Sequence, residues 1–239
     1  MPSPALYGFS EQKHGNMAFG SNELPEKTLR RRHEFLQTLF HFEPPPLFTV
    51  RQVHGNNVVV YEAGEKGSAP PTGDAVITRN KNVVVGVLTA DCIPIILFDR
   101  FSTSVGIIHA GRMGTLKGVT GKTVKKMVDS FKIDPGDLFA VIGPGILKCC
   151  YQVGVEALEP FEEEYNLKEI ATMSGDGTWK LDLVSINSMQ ILSSGIPLAN
   201  ICCFGICTRC TEGFFSYRRG NQVERFLSVV SLFEKSDTG

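Results

Sequence analysis

The sequence predicts an α+β fold with mixed β-sheets, and three observations lead there. Runs of β-branched and aliphatic residues crowd the first half of the chain, at 47–53, 58–61, 83–88, 93–98 and 105–108. Turn residues separate them, as they separate strands. Five such runs precede the long central helical stretch, so the strict βαβ alternation of a doubly wound parallel sheet is absent.

Each element has its own local reason. Residues 28–42 carry Leu29, Leu36, Leu39 and Phe40 at helical spacing. The run 47–53 leads into His54, and 58–61 follows it. Runs 83–88 and 93–98 flank Cys92, and 105–108 ends at His109. Residues 115–131 form an amphipathic helix, with Leu116, Val119, Met127, Val128 and Phe131 on one face and lysines opposite. Pro135-Gly136 closes it. Residues 138–142 read as a buried strand ending in the turn Gly143-Pro144-Gly145. A further helix is expected within 156–166. Asp182 is placed as the N-cap of a helix through Ser194, which Gly195 and Pro197 end. Runs 201–204, 214–217 and 226–233 are expected as closing strands. Pro44-Pro45-Pro46 reads as a rigid turn and 64–73 as an exposed loop. With no repeat, linker or low-complexity tract, the chain 1–239 reads as a single domain.

Composition narrows the function classes. At 239 residues and 42% hydrophobic content the chain can bury one sizeable core or two small ones. Its formal net charge of −1 gives no electrostatic footprint for nucleic acid or an anionic membrane. Arg30-Arg31-Arg32 reads as the solvated face of a helix. No apolar run approaches the ~20 residues of a membrane span. Met1-Pro2-Ser3-Pro4 lacks the charged and apolar regions of a signal peptide, so a cytoplasmic protein is expected. Seven cysteines, an odd number, then read as thiols or ligands rather than a disulfide framework.

Three residues concentrate the chemistry: His54 in Gln52-Val53-His54-Gly55, Cys92 in Ala90-Asp91-Cys92-Ile93-Pro94, and His109 in Ile107-Ile108-His109-Ala110-Gly111. Each lies at the edge of an apolar run, with Gly or Pro within two residues. Two imidazoles and a thiolate suit a zinc site with one position open, as catalysis requires. The same trio equally makes a Cys-His nucleophile pair with a spare histidine. Asp91 reads either as a turn cap or as a general base or orienter of a ligand imidazole. Gly111-Arg112-Met113-Gly114-Thr115 reads either as a tight turn or as a phosphate seat at a helix N-terminus beside Arg112. Cys149-Cys150 and Cys202-Cys203 are adjacent pairs, poorly spaced for ligating one metal. Cys207-Thr208-Arg209-Cys210 is a C-x-x-C without a second such pair, so packed or locally paired thiols are expected. Residues 214–219, Phe-Phe-Ser-Tyr-Arg-Arg, read as an edge strand or as an anion holder.

Taken in order, Gln52-Val53-His54-Gly55, Gly73-Asp74-Ala75, Ala90-Asp91-Cys92-Ile93-Pro94-Ile95, His109-Ala110-Gly111, Ile142-Gly143-Pro144, Cys149-Cys150-Tyr151, Cys207-Thr208 with Cys210, and Phe214-Phe215-Ser216 with Arg218-Arg219 form a set. This set resembles the laccase-domain family, the so-called multicopper polyphenol oxidases, described as zinc-dependent purine nucleoside phosphorylases with adenosine deaminase activity. The resemblance spans nearly the whole chain. It implies a four-layer α/β/β/α sandwich with mixed sheets, and it implies that His54, Cys92 and His109 are the zinc ligands. Arg112 and Met113 occupy the positions where the family carries Trp and a basic residue. Asn16 stands in for the family's N-terminal asparagine.

The expectation is a zinc-dependent purine nucleoside enzyme, splitting inosine or adenosine with phosphate into base and ribose 1-phosphate and deaminating adenosine. Zinc is the expected ion and copper the alternative. Asp91, Cys92 and Arg112 are the expected catalytic residues. Asn16, Gln52, Arg112 and Thr115 are the expected substrate contacts. The expected partners are a small purine nucleoside and phosphate, with no nucleic acid and no membrane, for a monomer. Two alternatives stand beside it. One is a Cys-His hydrolase or deamidase, or a factor editing peptidoglycan precursors. The other is a copper-dependent polyphenol oxidase, against which five histidines count, since a laccase also needs a trinuclear cluster.

Overall fold

A computed structural model describes residues 5–20, 23–62 and 69–232. The opening residues 1–4, the first half of the expected loop 64–73 and the end of the last expected strand lie outside the described residues. The elements in chain order are β1 (Ala5–Phe9), α1 (Pro25–Phe40), β2 (Leu47–Thr49), β3 (Val58–Tyr61), β4 (Ala75–Thr78), β5 (Val84–Thr89), β6 (Ile93–Asp99) and β7 (Val105–Ala110). Then come α2 (Arg112–Leu116), α3 (Val119–Phe131), β8 (Leu138–Ile142), β9 (Gln152–Val153), α4 (Val155–Glu162), α5 (Leu167–Ile170) and β10 (Ala171–Met173). The chain closes with β11 (Trp179–Leu181), α6 (Leu183–Ser193), β12 (Ile201–Cys203) and β13 (Phe226–Leu232).

Two mixed sheets face each other. One has the strand order β12-β8-β6-β7-β4-β3 and the other β1-β13-β5-β2. The edge pairs β3–β4, β8–β12 and β2–β5 are parallel, and the pairings between them are antiparallel. A strand's side chains alternate between faces, and the three larger apolar clusters follow that alternation. Val76, Ile96, Val105 and Ile107 turn inward against Val85, Val87 and Val230 of the opposite sheet. Their neighbours Ile77, Ile95, Leu97 and Ile108 turn outward against Val124, Met127 and Phe131 of α3 and Ile186 and Ile191 of α6. On the far side Phe35, Leu36 and Phe40 of α1 cover Val84, Leu227 and Val229. The layers therefore run α/β/β/α, as the resemblance implied. Burial on both faces is why β6 reads as an unbroken apolar run.

The Asp182 cap holds: its carboxylate accepts from the Ser185 amide at 3.0 Å. Other expectations are corrected. The single helix 115–131 is two helices, α2 and α3, because Gly118 takes a left-handed φ of 71° between them. The expected strand 214–217 is a loop and 3₁₀ turn: Phe214 and Phe215 pack into a small core with Ala90 and Phe226, and Ser216 caps the turn Tyr217–Arg219. His109 lies inside β7, opposite Pro94, rather than past its end. The arginine triplet is only partly a solvated face. Arg31 pairs with Glu23, while Arg32 is buried, donates to the Met17 carbonyl and lies over the Phe19 ring. Among the described residues, no helix is long and apolar enough to cross a membrane.

Candidate active site

β7 carries His109, the residue before β6 is Cys92, and the loop after β2 carries His54. The sandwich brings all three to one end of the sheets, with their ligand atoms within 4.8 Å of one another. The two imidazoles stand edge to face, centroids 4.7 Å apart. Exposure rises across the trio: His109 is buried, Cys92 half-buried and His54 exposed. The cluster is thus closed on the sheet side and open on the other.

Asp74 organises it. This fully buried carboxylate accepts from His109 Nδ1 at 2.8 Å, from the His54 amide at 2.9 Å and from the Gly55 amide at 2.7 Å. The Val53 amide also donates to it, at 3.2 Å. The bond to Nδ1 fixes the tautomer that leaves Nε2 free to ligate, an arrangement common behind metal-binding histidines. The three amides shape the loop in which His54 takes a left-handed φ of 56°. Gly111 leaves the space the cluster needs: a Cβ there would lie 2.9 Å from Cys92 Sγ and 2.9 Å from His54 Cδ2.

Charges couple inside the trio. Burial pushes the Cys92 thiol up, but the imidazoles of His109 and His54 outweigh it and bring it down to about 6. Burial pushes His109 down, but Cys92 and Asp74 outweigh that and raise it to about 9. Burial likewise opposes the ionisation of Asp74, yet His109 and the amides of Gly55 and Val53 hold it below the ordinary carboxylate range. A thiolate at neutral pH, the His109 Nε2 once a metal displaces its proton, and a second imidazole make a donor set that fits a borderline-soft divalent ion with one position open.

The trio floors a cavity of about 650 Å³. Gln52, Asp91, Arg112, Met113, Tyr151, Tyr217, Arg218 and Arg225 line its walls, so it has three guanidinium groups and two phenol rings. Arg218 lies over the Tyr151 ring, 5.0 Å from its centroid, and donates to the Gln152 carbonyl at 2.7 Å. Asp91 has a left-handed φ of 87°; Thr208 Oγ1 at 2.7 Å and the Arg218 amide at 2.8 Å donate to its carboxylate. It orients no imidazole; Asp74 does that.

The expected substrate contacts divide. Arg112 reaches the cavity. Gln52 lines it, but both ends of its amide are engaged with the Leu88 backbone at 2.8 Å. Asn16 and Thr115 lie elsewhere. Asn16 Oδ1 accepts from the amides of Ala18 and Arg225, so it ties the N-terminal segment to the C-terminal one. Thr115 is fully buried and accepts from Asn187 Nδ2 at 3.0 Å in a network between α2 and α6. Arg219 is likewise not an anion holder here; it donates to the carbonyls of Thr208, Arg209 and Thr211. The sequence reading missed Asp74 as an orienter, and Tyr151, Tyr217 and Arg225 as cavity walls. Of the remaining cysteines, Cys149, Cys150, Cys207 and Cys210 form one group, with sulfurs within 4.8 Å of one another.

The geometry agrees with what the chain resembles. Residues 6–233 match the family model described as multi-copper polyphenol oxidoreductase laccase, and the chain belongs to that family. A purine nucleoside phosphorylase of Clostridium acetobutylicum is 35% identical over 76% of this chain and 75% of its own length. An adenosine deaminase named RL5, of an unknown prokaryotic organism, is 34% identical over 71% of this chain and 68% of its own. The crystal structure of YlmD from Geobacillus stearothermophilus superposes with a TM-score of 0.88 at 27% identity, covering 98% of this chain and 94% of that one.

Proposed function

We propose that this chain is a zinc-dependent purine nucleoside enzyme. It splits inosine or adenosine with phosphate into base and ribose 1-phosphate, and it deaminates adenosine in the same cavity. The observation that carries this reading is the position of the three-donor cluster. Its open side faces a cavity of about 650 Å³ walled by guanidinium and phenol groups, a volume in the range of small-molecule sites. Relatives named purine nucleoside phosphorylase and adenosine deaminase support a purine nucleoside as the substrate class.

His54, Cys92 and His109 would hold the zinc, which when bound supplies a Lewis acid for activating water or polarising phosphate. Arg112 and Arg218, facing the cavity, neutralise a phosphate dianion and orient one of its oxygens towards the ribose C1′. As the new C–O bond forms, the C1′–N9 bond breaks and the base leaves with a proton. Tyr217 and Tyr151 offer the purine the aromatic faces that Arg112 and Met113 do not. Asp91 keeps lone pairs beyond its two hydrogen bonds, so its carboxylate is placed to take a proton from the attacking group and return it to the leaving one. In deamination the same pair of roles serves a water adding at C6 and ammonia leaving. On this reading the chain acts as a single domain and a monomer in the cytoplasm, on small molecules alone.

The test is turnover of inosine or adenosine plus phosphate by zinc-loaded, metal-quantified protein, with products read by chromatography against a His54→Ala control. Base with ribose 1-phosphate, or inosine from adenosine, produced only by the intact trio supports the reading. No turnover at full zinc loading overturns it. The low thiol pKa of Cys92 favours one second reading, a Cys-His hydrolase, which predicts activity that survives chelation and is abolished by alkylation of Cys92.

A further inference from the structure

Cys149 and Cys150 follow β8 in a turn, and Cys207 and Cys210 follow β12. β8 and β12 are adjacent parallel strands, so both pairs emerge at the same end of one sheet. A parallel bridge between Gly145 and Cys207 continues the alignment beyond the strands. The Thr208 amide donates to the Gly145 carbonyl at 3.0 Å, and the Gly145 amide to the Ile206 carbonyl at 3.2 Å. The result is a group of four cysteines, none in a disulfide.

We propose that Cys149, Cys150, Cys207 and Cys210 bind a second, structural zinc ion as a closed tetrathiolate site, independent of the nucleoside reading. Four thiolates about 2.3 Å from a central zinc stand about 3.8 Å from each other. Cys149 Sγ lies 3.7 Å from Cys150 Sγ and 3.8 Å from Cys210 Sγ. The C-x-x-C turn has the form that suits a metal. Cys207 is buried at the start of the turn, and its carbonyl accepts from the Thr211 amide at 2.9 Å. The Arg219 guanidinium clamps the loop from outside through the carbonyls of Thr208, Arg209 and Thr211. Packing of apolar thiols does not account for the group, because Cys149 and Cys210 are exposed. Four soft ligands in a tetrahedral set select zinc over a hard cation, and four protein ligands leave no position for substrate.

The ion's place in the fold gives it a role. Thr208, next to Cys207, donates to Asp91, next to Cys92. Tyr151, next to Cys150, lines the cavity with Tyr217 and Arg218. The tetrathiolate thus pins the wall of the cavity opposite the sheets.

Metal content of protein purified under reducing conditions tests this directly. The Cys207→Ser/Cys210→Ser variant should hold one zinc equivalent fewer than wild type, and Cys203→Ser should match wild type. Titration of the wild-type protein with a mercurial, read with a zinc-sensitive dye, covers the case in which the double variant does not fold. Release of one zinc across four thiols that chelator-treated protein exposes supports the site. After cobalt exchange, the strong visible bands of a tetrahedral cobalt thiolate should persist in His54→Ala, which separates this ion from one on His54, Cys92 and His109. Four freely reactive thiols in the native protein with no metal released, a Cys149–Cys210 disulfide, or iron in place of zinc would overturn the proposal.

Discussion

Asp74 and Asp91 lie beside the same three-donor cluster, both buried and both hydrogen-bonded, yet they bind different parts of the chain. Asp74 precedes β4 in the central sheet, and its partners are His109 and the loop of His54. Asp91 lines the cavity, and its partners, Thr208 and Arg218, come from a long segment between β12 and β13. Ligand geometry is therefore fixed by hydrogen bonds into the sheet. Two of the residues that line the cavity, Tyr217 and Arg218, ride on the segment held by Asp91. Rigid scaffold and variable loop are divided in the usual way, with one aspartate for each.

The largest effect is expected where the sheet side is tightest. Gly111 has an ordinary extended φ of −79°, so Gly111→Ala adds no backbone strain. Its new methyl group would lie 2.9 Å from Cys92 Sγ and from His54 Cδ2. Displacing either donor by a fraction of an ångström should cost about 100-fold in turnover and empty the His54–Cys92–His109 group, with thermal unfolding little changed. Metal analysis beside a melting curve checks it. Full metal occupancy with normal turnover would show the cluster to be more pliable than its packing implies.

Asp74→Asn comes next. An asparagine oxygen can accept from one side only, while its NH₂ meets the amides of His54 and Gly55 or the His109 ring. Loss of such a partner typically costs about 10–100-fold in metal affinity, and the unmet amides add about 1–3 kcal/mol of destabilisation. Asp91→Asn should leave metal affinity within a few-fold and lower kcat instead, since its carboxylate carries the proton in the proposed reaction. Competition against a chelating dye, beside steady-state kinetics, separates the two. Equal effects from both aspartates would dissolve the distinction between the walls.

Much of this was legible in the sequence, for identifiable reasons. His54, Cys92 and His109 announce themselves because each sits where an apolar run meets Gly or Pro, and Asp182 because its N-cap is a local contact. Asp74 does not: it enters only within the motif Gly73-Asp74-Ala75, and its partner His109 is 35 positions away. The tetrathiolate was hidden for the same reason. Cys149 and Cys210 are 61 positions apart, and only the parallel pairing of β8 with β12 brings them together. The break between α2 and α3 turns on a single left-handed glycine, which an amphipathic pattern running through it conceals. At 214–217 the two phenylalanines are adjacent rather than alternating, so they anchor a loop in a small core instead of lining one face of a strand.

The coupled charges of the sheet-side wall give a smaller, quantitative test. With Cys92 held at about 6 and His109 raised to about 9, the metal-free protein near pH 7.5 carries a thiolate and an imidazolium. A metal takes the thiolate as it stands but requires neutral His109. Zinc binding at this group should therefore release close to one proton near pH 7.5, and affinity should climb as pH rises towards 9. Below pH 6 the thiol is protonated as well, so release should rise above one. Calorimetry in buffers of differing ionisation enthalpy reads this number. For the Cys207→Ser/Cys210→Ser variant the count should be the same, since His54, Cys92 and His109 are untouched.

The subtlest test sets one residue of the outer wall against one that only supports the fold. Tyr217 is 55% exposed at the cavity mouth. If a purine stacks there, Tyr217→Ala should raise KM by about five- to a hundredfold, since base–aromatic stacking is worth ~1–3 kcal/mol per base. Unfolding should shift by less than about 0.5 kcal/mol, as surface substitutions usually do. Thr115→Val should do the reverse. It leaves Asn187 Nδ2 without its Thr115 acceptor in a buried network, at about 1–3 kcal/mol, but Thr115 does not line the cavity and KM should hold. A KM effect from Thr115→Val would place α2 in the binding step after all. An unchanged KM in Tyr217→Ala would move the purine to Tyr151, whose ring Arg218 already covers on one face, leaving the other for the base.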